Sequence, residues 1–88
     1  MKYPCPCCGY KTFPKEPNGD FGICHVCFWE DDLTQLENPE YEFGANSVSL
    51  KQGQKNFLLF GACEKEMIKN VRPPKENELR DMSWKPFD

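Results

Sequence analysis

The chain has 88 residues, six of them cysteine, and a formal net charge of −3. This length allows one small domain and excludes a multidomain enzyme or a long coiled coil. Leu, Ile, Val and Phe make up about 20% of the residues, the lower edge for a core that is stable without a metal or cross-links.

Negative charge is concentrated in the middle of the chain. Residues 20–50 contain seven Asp and Glu side chains and no Lys or Arg, whereas residues 1–19 and 51–88 each carry +2. Nucleic-acid binding requires several Lys or Arg side chains aligned on phosphates, so we do not expect it here. We expect the partner to be another protein, with a basic surface facing the acidic segment.

The compartment is predicted from segments that the sequence lacks. Residues 1–5 do not begin an apolar signal peptide, and the longest apolar run, residues 57–60, is far too short for a membrane span. The sequence therefore predicts a cytoplasmic protein without membrane contact. Thiols are kept reduced in that compartment, so paired cysteines indicate metal ligands or redox groups rather than disulfides.

Residues 1–32 are predicted to form a metal-bound head. Short strands are expected at residues 2–4, 10–13 and 20–23, because these stretches have strand composition and lie next to turns rich in Pro and Gly. We expect residues 10–30 to form a hairpin whose two ends each carry a pair of cysteines.

A helical segment is predicted after the head. Asp32 and Ser49 each begin a capping-box pattern, with a glutamine three residues later. These patterns predict a short helix over residues 33–37 and a longer helix over residues 50–60, which Gly61 ends.

Smaller features complete the predicted fold. A further helical stretch is expected over residues 63–71. Tyr41 and Phe43 are expected to anchor an irregular segment over the core, and Trp84 and Phe87 to fold the tail back. The fold class is a small α+β metal-bound domain, with zinc-ribbon-like hairpins followed by two or three short helices. The single domain, residues 1–88, divides into a head at 1–32, a helical segment at 33–74 and a tail at 75–88.

Two cysteine pairs carry the strongest functional signal. Cys5 and Cys8 are three residues apart, as are Cys24 and Cys27, and fifteen residues separate the two pairs. This spacing matches a common zinc pattern. Four thiolates fill a tetrahedral site, leave no position for a water molecule and contribute folding energy. The sequence therefore predicts one structural zinc ion, with iron as the alternative metal.

The remaining cysteines, the histidine and the acidic run could each have a structural or a functional role. Cys7 is either a packed thiol or a reactive thiol beside the metal, and Cys63 is expected to be a small buried apolar residue. His25 is expected at the surface or behind a ligand. The acidic run 30–32 indicates a helix N-terminus rather than a hard-cation site. The aromatic side chains near the second pair are expected to shield the metal: Phe21, Phe28 and Trp29.

Several motifs, in a fixed order, resemble a known family. The motifs lie at residues 3–10, 23–32, 44–50, 54–57, 61–63 and 71–74. With these motifs, the chain is similar to the cysteine-rich CPCC family of small bacterial proteins. The resemblance implies a cytoplasmic protein with metal ligands at Cys5, Cys8, Cys24 and Cys27, and it implies no particular activity. The first pair also resembles a knuckle of zinc ribbons and rubredoxins, whereas Phe28 stands where a glycine would follow the second pair.

Three classes of function follow from these observations. The first is a small zinc-binding module with a structural site, which acts by binding another protein. The second is a redox protein, either a rubredoxin-like iron carrier or a thiol switch at Cys7. The third is a hydrolase that uses Cys63 or the acidic run 30–32. We do not predict an enzyme, because the sequence shows no nucleophile–base pair.

Overall fold

Two short strands next to the first cysteine pair form an antiparallel sheet. A computed structural model describes residues 2–87 and shows a small α+β domain. The elements are, in chain order, β1 (Tyr3–Pro4), β2 (Lys11–Phe13), α1 (Leu33–Glu37), α2 (Leu50–Phe60) and a 3-10 helix (Lys65–Asn70). β1 pairs with β2, with Tyr3 opposite Phe13. The expected α+β class is confirmed.

The prediction of a single hairpin over residues 10–30 is wrong. Each cysteine pair instead lies in a hairpin of its own. In the first, the Cys5 N–H donates to the Tyr10 carbonyl at 2.9 Å, and the Gly9 N–H donates to the Cys5 carbonyl at 2.8 Å. The physical reason is loop length, because a turn of only a few residues lets its flanking strands pair with each other.

The second hairpin repeats this arrangement. Ile23 and Glu30 form an isolated antiparallel bridge. Inside it, the Cys24 N–H donates to the Trp29 carbonyl at 2.9 Å, and the Phe28 N–H donates to the Cys24 carbonyl at 2.6 Å. The two cysteine pairs therefore occupy equivalent turns, each closed by the same two hydrogen bonds.

The bounds predicted for α1 and α2 are confirmed, because local caps define them. The Asp32 carboxylate accepts from the Gln35 N–H at 3.0 Å, and the Ser49 hydroxyl accepts from the Gln52 N–H at 3.0 Å. Gly61 ends α2 with a φ of 81°, which a glycine adopts without strain. The helical stretch expected over residues 63–71 is the shorter 3-10 helix.

The core is built largely from sulfur. Among residues 2–87, six of the eleven buried hydrophobic residues are cysteines. The largest buried side chain is Trp29, which is 1% exposed. α2 approaches this core at Gly53, where an added Cβ would lie 3.2 Å from the Cys7 Sγ and 3.3 Å from the Trp29 ring. A glycine at position 53 thus permits close contact between α2 and the core.

The acidic run has the structural role that the sequence indicates. Asp31 is completely buried, and its Oδ2 accepts from three consecutive backbone N–H groups, those of residues 18–20, at 2.8–3.2 Å. Asp32 caps α1 and also accepts from the Ala45 N–H at 2.9 Å, and these backbone contacts lower the pKa of its carboxyl group. Both carboxylates hold loops in place.

Two predicted anchors, Tyr41 and Phe43, and one member of the predicted metal shield, Phe21, are exposed, so these three predictions are wrong. Phe21 is 59% exposed, Tyr41 44% and Phe43 78%. A polar residue fixes the irregular segment instead: the buried Gln35 carboxamide donates to the carbonyls of Tyr41, Asn46 and Val48 at 2.9–3.2 Å. The backbone is held by hydrogen bonds, so the rings are not needed as anchors.

Arg72 and Glu78 join the end of the helical segment to the tail. Two hydrogen bonds of 2.7 and 2.9 Å link the guanidinium to the buried carboxylate. Arg72 and the Lys75 N–H hold the pKa of Glu78 at about 2, well below its ordinary value. Because that pKa is lowered, the ion pair stabilises the fold in full above the ordinary carboxyl pKa and loses its effect as the pH falls towards about 2.

We expect Glu78→Gln to lower the free energy of unfolding by about 2 kcal/mol near neutral pH, since it leaves the charged Arg72 without its partner. Urea unfolding of both proteins under identical conditions measures the difference in the free energy of unfolding. That difference should stay constant down to about pH 5 and narrow below it. Glu76→Gln, at an exposed acid two residues away, is the control. An equal loss in both variants would contradict this account.

Within residues 2–87, no helix combines the length and the apolar character needed to cross a lipid bilayer.

Candidate metal centre

Four cysteine sulfur atoms converge at the centre of the domain. The Sγ atoms of Cys5, Cys8, Cys24 and Cys27 lie within 4.8 Å of one another, and all four residues are completely buried. The Cys5–Cys27 and Cys8–Cys24 sulfur pairs are each 3.7 Å apart. A tetrahedron with metal–sulfur bonds of about 2.3 Å has edges of about 3.8 Å. The separations thus fit a shared metal ion and are too long for disulfide bonds, which measure about 2.05 Å.

The two turns present their sulfur atoms in the same way. The residue after each pair has a left-handed backbone, with a φ of 82° at Gly9 and 68° at Phe28. The absence of a glycine after the second pair therefore does not change the turn. Phenylalanine is uncommon at such an angle, and the closed hairpin around Phe28 holds it there.

Burial and mutual hydrogen bonds shift the pKa values of three of these thiols in different directions. Burial raises the pKa of Cys5 and of Cys27, whereas hydrogen bonds from neighbouring thiols lower the pKa of Cys24. The Thr12 hydroxyl also donates to the Cys24 Sγ at 3.1 Å. A divalent cation at the centre would favour the thiolate form of all four residues. The donor set is therefore suited to a soft or borderline metal ion.

Backbone carbonyls of the first turn are held by distant side chains. The Pro6 carbonyl accepts from the Gln54 Nε2 of α2 and from the Trp84 Nε1 of the tail, each at 2.8 Å. The Cys8 carbonyl accepts from the Arg80 Nε at 3.1 Å. These contacts fix the orientation of the turn that carries Cys5 and Cys8.

The tail also pairs with the chain just after this turn. The Asp81 N–H donates to the Gly9 carbonyl at 2.7 Å, and the Lys11 N–H donates to the Leu79 carbonyl at 2.9 Å. The Arg80 guanidinium carbon lies 4.7 Å from the centre of the Trp84 ring and 5.1 Å from that of Tyr10. Trp84 thus folds back onto the head, as predicted. Phe87, which is 46% exposed, is attached by its N–H to the Gln54 Oε1 at 2.8 Å.

We expect Trp84→Ala and Arg80→Ala to speed the release of a metal ion from the four-sulfur cluster by about tenfold, the lower end of the effects seen when groups that orient metal ligands are removed. Trp84→Ala removes one of the two donors to the Pro6 carbonyl, and Arg80→Ala removes the side-chain donor to the Cys8 carbonyl. Transfer of the loaded metal ion to a coloured chelator gives the rate directly. Lys85→Ala changes an exposed residue of the same tail and should leave the rate unchanged. Equal rates in all of these proteins would show that the tail does not hold the turn.

The other candidate residues lie outside the four-sulfur cluster. Cys7 and Cys63 are both buried, and burial raises the pKa of each thiol, which favours the packed over the reactive interpretation. His25 is exposed, and its carbonyl accepts from the Arg72 N–H at 3.1 Å. Of the predicted shield, Trp29 is buried and Phe28 is half-buried.

Sequence reasoning missed several residues around the site. Thr12, which contacts a ligand sulfur, and Gln54, which binds the Pro6 carbonyl, look like ordinary polar residues of a strand and a helix. Gly53 carried a local signal, a glycine inside a predicted helix, which can mark a close packing contact.

The fold and the sulfur cluster together define a class: a small α+β domain with a buried four-cysteine site that can hold a metal ion. The family model described as Cysteine-rich CPCC matches residues 3–78, so the chain belongs to the cysteine-rich CPCC family. No curated protein matches the chain. The family match ends just before residues 79–84, the part of the tail that covers the first cysteine turn.

Proposed function

We propose that this protein is a small zinc-ribbon-like module in which Cys5, Cys8, Cys24 and Cys27 hold one structural zinc ion. The observation that carries the proposal is the cluster of four buried sulfur atoms, which lie within 4.8 Å of one another and include two pairs at 3.7 Å. A closed set of four thiolates needs neither an open coordination position nor a change of oxidation state, which suits zinc.

The zinc ion has a structural task in this proposal. It joins the two cysteine hairpins, which share little other secondary structure. It also offsets a thin core, because cysteines supply most of the buried hydrophobic residues. The module then acts by binding another protein, since four thiolates leave no site for metal-activated water. The cytoplasm is the compartment that suits reduced thiols.

Metal content tests the identity of the ion. The protein, purified with a reductant and offered zinc and iron together, should be colourless and contain one zinc per chain by elemental analysis. A red protein with iron in this ratio would overturn the zinc assignment and favour the rubredoxin-like alternative. A protein that binds neither metal would overturn the proposal as a whole.

A further inference from the structure

The surface around α1 exposes apolar and acidic side chains together. Leu33, on the first turn of α1, is 45% exposed, and Glu37 lies one turn further along the same side of the helix. Two loops flank this helix and add exposed side chains of both kinds. We call the following set the α1 surface: Asp20, Phe21, Leu33, Glu37, Glu40, Tyr41, Glu42 and Phe43.

Both loops are attached to the start of α1 by hydrogen bonds. The loop that leads to Phe21 donates three backbone N–H groups to the Asp31 carboxylate, and the Phe21 N–H donates to the Asp31 carbonyl at 3.1 Å. The loop that contains Phe43 is held by Asp32, through the Ala45 N–H, and by the Gln35 carboxamide. The exposed aromatic side chains therefore belong to one region of the molecule.

The backbone at both phenylalanines is strained. Phe21 and Phe43 each have a φ of 63°, in the left-handed region where a bulky residue is a conformational outlier. Burial of the rings does not offset the cost of this backbone conformation, since Phe21 is 59% exposed and Phe43 is 78% exposed. The fold alone therefore does not account for aromatic residues at these positions.

The charge on the α1 surface is of one sign. Asp20, Glu37, Glu40 and Glu42 are exposed, and residues 20–50 contain no Lys or Arg. The ion pair found between residues 2 and 87 is Arg72–Glu78, so none of these four carboxylates is neutralised by a salt bridge. The half-buried Lys51 lies at the edge, where it shares a groove with Glu40 and Pro39.

We propose that the α1 surface binds a segment of another protein in which Lys or Arg side chains alternate with apolar ones. This inference rests on the proposed function, in that it names the partner class of the protein-binding module. The four carboxylates have no salt-bridge partner among the described residues and complement the cationic groups of such a segment. The long aliphatic parts of its Lys and Arg side chains can pack against the exposed aromatic rings. Phe21, Leu33 and Phe43 provide the apolar contacts.

The test uses zinc-loaded, ¹⁵N-labelled protein and a short synthetic peptide that repeats lysine, leucine and glycine. We expect saturable chemical-shift changes at amides of residues 20–21, 33–37 and 40–43, and a binding constant that weakens as salt is added. Two peptides of the same length are controls, one with glutamate for lysine and one with serine for leucine. Both should bind at least about tenfold more weakly.

Variants separate the aromatic contribution from the acidic one. Phe43→Gly removes an exposed ring and relieves a positive φ, so it should weaken binding about tenfold without lowering the melting temperature. Leu59→Ala is the matched control, because Leu59 is also 78% exposed but lies on α2. Glu37→Lys with Glu42→Lys should weaken binding at least as much.

Glu66→Lys with Glu76→Lys makes the same charge change at exposed acids outside the α1 surface and should have little effect. Shift changes elsewhere on the molecule, equal binding of the glutamate peptide, or undiminished binding by Phe43→Gly would each overturn the inference. Concentration-dependent dimerisation through the same amides would identify a second copy as the occupant and overturn it as well. Elemental analysis of the same sample tests the proposed zinc module separately, since that proposal requires one zinc ion per chain.

Discussion

Removal of zinc under reducing conditions is expected to unfold the whole domain. A strong chelator together with a phosphine reductant should abolish the helical circular dichroism of α2 and collapse the dispersed NMR spectrum. Adding zinc back should restore both. Structural zinc sites of this type contribute about 10–16 kcal/mol, which is comparable to or larger than the roughly 5–15 kcal/mol stability of an ordinary domain.

The structure explains why little of the fold should survive without the ion. The strands β1 and β2 contain two and three residues, and α1 contains five. Each is too short to be stable alone in water. The second cysteine hairpin is joined to the first at the sulfur cluster, so loss of the metal removes a link that the short strands do not replace.

Two neighbouring cysteines provide a matched control for the ligand set. Cys7 and Cys8 are adjacent and both completely buried, but Cys8 belongs to the four-sulfur cluster and Cys7 does not. We expect Cys8→Ala to lose stoichiometric zinc and to be unfolded, and Cys7→Ala to keep one zinc per chain. Equal loss of zinc in the two variants would contradict the assignment, and an apo protein with unchanged circular dichroism would contradict the structural role of the ion.

The elements that the sequence predicted well are those defined by local hydrogen bonds. Asp32 caps α1 through Gln35, and Ser49 caps α2 through Gln52, in each case three residues away. The convergence of the four sulfur atoms belongs to the same group. The cysteines lie in two short motifs whose spacing restricts how the sulfur atoms can meet.

The parts that could not be predicted depend on contacts between distant positions. Arg80 and Trp84 reach carbonyls of the first cysteine turn that lie 72 and 78 residues earlier in the chain. Hydrophobic periodicity and turn residues are local sequence patterns, so they do not predict hydrogen bonds between residues this far apart in the chain. The wrong prediction of a hairpin over residues 10–30 also concerns distant contacts. Composition marks residues 10–13 and 20–23 as strand-like but does not show which strand each one pairs with.

The exposed aromatics of the α1 surface illustrate a different limit. Hydrophobicity favours burial of Phe21 and Phe43, and that expectation ignores how the surrounding loops are held. Asp31 and Gln35 satisfy the loop backbones with hydrogen bonds, so the loops do not need burial of the rings. Sequence reasoning fails here at the surface for which we propose a binding role.

Trp29→Ala is expected to have the largest effect of any substitution outside the metal ligands. We expect it to lower the free energy of unfolding by about 3–5 kcal/mol, the range for a fully buried large aromatic side chain. Trp29 is 1% exposed, and a Cβ added at Gly53 of α2 would lie 3.3 Å from its ring. Urea unfolding followed by circular dichroism measures the change in the free energy of unfolding. The free-zinc concentration is held fixed, because zinc binding to the folded state raises the apparent stability by an amount that depends on that concentration.

The size of this loss depends on whether the space left by the indole can close. Gln54, the residue after Gly53, donates to the Pro6 carbonyl, and this hydrogen bond opposes movement of α2 towards the cavity. Trp29→Phe refills part of the space and should cost less than the alanine variant. Leu58→Ala, at a residue that is 54% exposed, should change stability by no more than about 0.5 kcal/mol. A loss below about 1 kcal/mol for Trp29→Ala would mean that α2 does collapse onto the cavity, and the close contact at Gly53 would then not restrain the helix.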